Sequence, residues 1–104
     1  MTTFDDRERA HEAKFIHDTD MRFRVEARRN RILGLWAAGV LGKSGADADD
    51  YIASVIRADF AEAGDGDVQR KLEADLAGLI DPAAIRAKMD AAYVQARSEI
   101  AAES

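Results

Sequence analysis

The stretch from Asp81 to Ile100 most constrains the fold. Asp81-Pro82 places a capping acid before a proline at a first helical position. Ile85, Met89, Tyr93, Ala96 and Ile100 then recur at helical spacing. A strand would need alternation, and this segment has none. A twenty-residue amphipathic helix with one apolar face must bury that face against other elements. The remaining sequence offers only helices for the purpose. Ala accounts for 21 residues, there is one Pro, and Leu, Ile, Val and Phe together supply 22. Ala is the best helix former, and scattered Val and Thr leave little material for strands.

Three further helices can be read upstream. The first is expected from about Thr19 to Leu41, carried by Met21, Val25, Ile32, Trp36 and Val40, with Leu33 and Leu35 widening the stripe. Trp36 is the expected central anchor, and Gly34 and Gly39 are candidates for close helix approach. The GKSG at 42–45 ends this helix, with Gly42 as the left-handed cap. The second helix is expected from about Asp47 to Ala63, burying Ile52, Val55, Ile56, Phe60 and Ala63. The third, short, is expected from Gly66 to Ala77 with Val68, Leu72 and Leu76 inward. Short connections fold sequential helices back on one another. The expected fold is all-α: a four-helix bundle over residues 19–104 with a long first helix. Residues 1–18 stand outside it as a mobile, helix-prone segment. Thr3 and Asp6 resemble a capping box, yet the apolar stripe there is too thin to hold a helix alone.

Several chemistries are excluded or weakened. No Cys is present, which removes disulfides, thiolate catalysis and Cys-bound zinc. The net charge of -5 argues against nucleic acid as partner. No apolar run reaches the ~20 residues needed to span a bilayer, and the acidic start lacks a secretory h-region. GKS at 42–44 resembles the end of a phosphate-binding loop. That motif needs a glycine where Ala37 stands, and a strand where a helix is expected. His11 and His17 are six apart and do not share a helix face as a metal pair would. No nucleophile–base set or convergent carboxylate pair stands out, so no enzyme, no cofactor and no metal are expected. The basic run RFRVEARRNR at 22–31 reads first as a solvated face paired with the acidic remainder. Its functional alternative is a docking stripe for an acidic protein surface, through Arg22, Arg24, Arg28 and Arg29.

MTTFDDRERAHEAKF at 1–15, EARRNRILGLWAAGVLGKSGADA at 26–48 and IRAKMD at 85–90 resemble the zeta subunit family, the inhibitor of certain bacterial F-type ATP synthases. The resemblance covers essentially the whole chain. It implies a regulatory subunit whose N-terminal segment enters a catalytic interface of the ATPase head and blocks rotation in the hydrolytic direction. The segment would do so as the mitochondrial inhibitor protein does, on an unrelated scaffold. Carried onto this sequence, the contact residues are Phe4, Asp5, Arg7, Glu8, Arg9, His11, Glu12, Lys14 and Phe15. The implied partner is the catalytic head of the F-type ATP synthase. The implied location is cytoplasmic, peripheral to the inner membrane when bound, with a monomer when free. Two alternatives remain beside it: a small ligand- or nucleotide-binding module using Lys43 and the nearby arginines, and a general protein adaptor whose basic helix recognises an unrelated protein.

Overall fold

The computed structural model describes the backbone of residues 3–60 and 64–103, and side chains within that set from Asp20 onward. Four helices follow in order: α1 (Thr3–Val40), α2 (Gly45–Ala58), α3 (Gly66–Asp75) and α4 (Pro82–Glu103). Among the described residues there are no strands, and the all-α architecture is the one the sequence leads to.

α1 is the axis of the molecule. α2 and α4 both pack along it, and α3 closes the far side against them. Leu33, Ala37 and Ala38 of α1 meet Tyr51 and Val55 of α2, Val68 and Leu72 of α3, and Ile85, Met89 and Ala92 of α4. A second apolar cluster lies nearer the start of the bundle, where Val25 packs with Ala96 and Ile100. Its edges are filled by Met21, Ile32 and Tyr93.

The end of α1 is set by its backbone. Gly42 takes φ 73°. Lys43 N–H then donates to Ala38 C=O at 2.8 Å and Gly42 N–H to Gly39 C=O at 3.1 Å. That is the Schellman pattern, which a residue with a Cβ fills poorly. GKSG is thus built as a helix-ending turn.

Several sequence expectations need correction. α1 begins at Thr3, far ahead of Thr19, and its backbone carries no break between residues 18 and 19. α2 ends at Ala58, short of Ala63, with Asp59 as its C-cap. Phe60 consequently falls off the helix and is 76% exposed. Trp36 is half-buried at the margin of the core, and Leu33 and Ala37 hold its centre. The reason is geometric: with α2 and α4 pressing on α1 from two sides, small and medium side chains fill the shared seam. Lys88 of α4 covers the Trp36 ring, its Nζ 5.7 Å from the centroid. Leu35 also points outward. Of the two glycines proposed for close approach, Gly34 makes one and Gly39 does not.

α1 has 38 residues and α4 has 22. α4 runs back along α1 and ends with Glu103 beside Arg24, so the part of α1 ahead of that contact, Thr3 to Phe23, is about 32 Å long at 1.5 Å per residue.

Candidate functional site

The site expected from sequence has two parts. The first, Phe4, Asp5, Arg7, Glu8, Arg9, His11, Glu12, Lys14 and Phe15, falls on the N-terminal half of α1. The side chains of these nine lie outside the described residues. The second part, the basic run, is fully described.

Its four named arginines have different surroundings. Arg22 is exposed, with Nε 3.5 Å from Glu26 one turn on. Arg24 is exposed and 3.7 Å from Glu103 at the end of α4. Arg28 forks across the α1–α4 seam, donating to Glu99 at 2.8 Å and Glu103 at 2.7 Å. These two bonds hold its proton more tightly than usual. Glu99 is correspondingly held below its ordinary value, first by the Gln95 amide and then by Arg28.

Arg29 is set apart from the other three. It is 5% exposed. Its guanidinium donates to Asn30 Oδ1 at 3.1 Å and to Asp59 Oδ1 at 3.3 Å. It stands 4.0 Å from Asp65 and stacks over the Tyr93 ring at 6.0 Å. A guanidinium so enclosed braces α1 against the α2–α3 connection and α4, and it is not offered to a partner in this conformation. Asp65 is shared: Arg86 also donates to it at 2.9 Å, and Arg86 binds Asp90 and Gln69 as well. The Arg86 hydrogen bond, ahead of burial acting in the opposite sense, lowers the Asp65 carboxyl below its ordinary range.

The basic run therefore divides by depth. Arg29 ties helices together, Arg28 is saturated by α4 carboxylates, and Arg22 and Arg24 reach solvent. Arg31, not among the expected contacts, is exposed and has no carboxylate partner among the described residues. Sequence reasoning could foresee pairing with the acidic remainder. It could not name Asp59, Asp65, Glu99 and Glu103, because that requires the helix register.

At the opposite end, the Lys43 ammonium lies 6.0 Å from the Tyr51 ring centroid. The Tyr51 hydroxyl donates to Asp75 at 2.8 Å. Burial, with Asp75 adding to it, pushes its proton loss well into the alkaline range. Among the described residues, no group of three or more His, Asp or Glu is placed to hold a metal ion. No described helix is long and apolar enough to cross a membrane.

Comparison with known proteins agrees with this architecture. A protein solved in solution by NMR has a TM-score of 0.73 and 48% sequence identity to this chain, over 81% of this chain and 99% of its own. No curated protein matches. The model of the family described as ATPase inhibitor subunit zeta matches residues 1–99, so it takes in the N-terminal segment as well as the bundle. The chain belongs to the ATPase inhibitor subunit zeta family.

Proposed function

We propose that this chain inhibits the F-type ATP synthase by inserting its N-terminal arm, residues 1 to about 17, into a catalytic interface of the ATPase head. Rotation in the hydrolysis direction is then blocked. The family assignment supplies the inhibitory, regulatory role. The observation that carries the insertion reading is the part of α1 that runs on where α4 has ended. A helix that runs on past the end of its neighbour presents a face that a partner can cover.

In this reading Phe4 and Phe15 fill apolar niches of the cleft. Arg7, Arg9 and Lys14, with Asp5, Glu8 and Glu12, fix register against its charged walls, and His11 lies within the same stretch. Arg22 and Arg24 continue the contact at the rim. Fixing the arm's side chains in the cleft costs conformational entropy, which burial there offsets. The protein acts from the cytoplasmic side, peripheral to the inner membrane when bound, and is a monomer when free.

The deciding experiment measures ATP hydrolysis by the matching ATPase with the full chain, with a chain lacking residues 1–17, and with neither. Full-length protein inhibits; the shortened chain keeps its melting temperature and loses inhibition. Equal inhibition by both would place the inhibitory surface on the helices and sink the arm reading.

A further inference from the structure

α1 and α4 enclose an open groove of about 730 Å³ at the end of the bundle where the arm departs. Its floor is apolar: Met21 and Val25 from α1, Tyr93 and Val94 from α4. Val94 is 66% exposed. The rim carries Arg22 on one side and Arg97 on the other, and no carboxylate lines it among the described residues. Arg97 has no carboxylate partner among the described residues. A chain of net charge -5 thus presents an apolar trough edged by two cations.

We infer that this groove is a second docking surface, which receives an acidic amphipathic helix of the ATPase beside the cleft that takes the arm. The inference rests on the insertion reading above. Three observations select the occupant. The trough between two antiparallel helices suits a third helix laid along it, as in bundles generally. The cationic rim selects carboxylates on that helix, since charge complementarity across a rim sets partner and orientation. Continuity places the partner: Met21 and Arg22 are where α1 leaves the bundle, so a protein holding the arm brings its own surface against the groove. The two contacts then act as linked modules, each raising the effective concentration of the other.

The test uses the full chain against the matching ATPase. Wild type, Arg97→Glu, the double variant Val94→Glu/Arg97→Glu and the control Leu79→Glu are compared, with folding checked by circular dichroism. Leu79 is exposed and lies outside the groove. The concentration for half-inhibition is expected to rise roughly tenfold for the double variant and several-fold for Arg97→Glu. Maximal inhibition is retained in both, because the arm is intact. The salt dependence of the association rate should also weaken for Arg97→Glu. Leu79→Glu should match wild type. Half-inhibition within twofold of wild type for both groove variants would overturn the groove while leaving the arm reading standing. A wild-type chain that neither binds nor inhibits the ATPase would overturn both. Sedimentation showing a wild-type dimer that the double variant dissolves would give the groove to a second copy of this chain and likewise overturn the proposal.

Discussion

Gly34 of α1 and Ile52 of α2 touch backbone to backbone. A Cβ built on Gly34 would stand 2.9 Å from Ile52 Cα and 3.1 Å from Ile52 Cγ1. No side-chain rotation relieves the first contact. Gly39, five residues on in the same helix, would meet nothing within 4 Å.

The two glycines should respond to alanine with opposite sign. In an open helical position, Gly→Ala stabilises by removing unfolded-state freedom. Gly39→Ala should gain about 0.5 kcal/mol, since it lies in the last turn. Gly34→Ala should lose about 2 kcal/mol, because α2 must move away from α1. Urea unfolding of both variants checks this. A stabilised Gly34→Ala would mean that the α1–α2 contact is looser than the structure places it.

Acid should weaken the Asp65 hub. Its folded-state carboxyl lies below the ordinary value of 3.8, chiefly through the Arg86 hydrogen bond. A depressed carboxyl contributes stability above the unfolded value, and that contribution is lost as pH falls through the folded one. Asp65→Asn should therefore lower the melting temperature by a few degrees at neutral pH. The gap between variant and wild type should close as pH falls through the lowered folded-state value. Melting curves for both proteins across the acid range measure it; a gap independent of pH would remove the charge from the explanation.

The centre of the core is predicted to respond more strongly than its largest residue. Leu33 is completely buried, so Leu33→Ala should cost about 3 kcal/mol. Trp36 is half-exposed under Lys88, and Trp36→Ala should cost about half as much. Chemical denaturation of the two variants gives the order directly. The reverse order would place Trp36 deeper than the structure does.

The helices were legible because each has local punctuation. Asp81-Pro82 opens α4, Gly42 closes α1, and Val68 and Leu72 mark the inward face of α3. What lacked punctuation was misjudged. Nothing local starts a helix near Thr19, and α1 runs through from Thr3. Gly64 suggested a stop for α2 six residues beyond its last helical position, because a positive-φ glycine marks a turn without saying how far back the helix ended. Side-chain size misled in the core: Trp36 is the largest apolar group, yet depth depends on where α2 and α4 both reach α1, and that is a tertiary property. The same limit applies to the basic run. Charge pattern suggested internal pairing, but only packing separates Arg29, sealed against Asp59, from Arg22 and Arg24 in solvent. The groove residues Val94 and Arg97 carried no sequence signal, since an exposed valine and arginine on a helix are individually ordinary.

The unbroken backbone of α1 has a mechanical corollary. The chain's one proline lies at position 82, and α1 has no glycine before Gly34, so the two residue types that most often kink a helix are missing from its first thirty residues. Once helical, arm and bundle turn as a single shaft. Each residue inserted between them would advance the tip by about 1.5 Å and twist it by about 100°. The stretch around Asp20 is thereby a ruler and a compass at once: its length fixes how deep a plug can reach, and its phase fixes which side of the plug meets which wall.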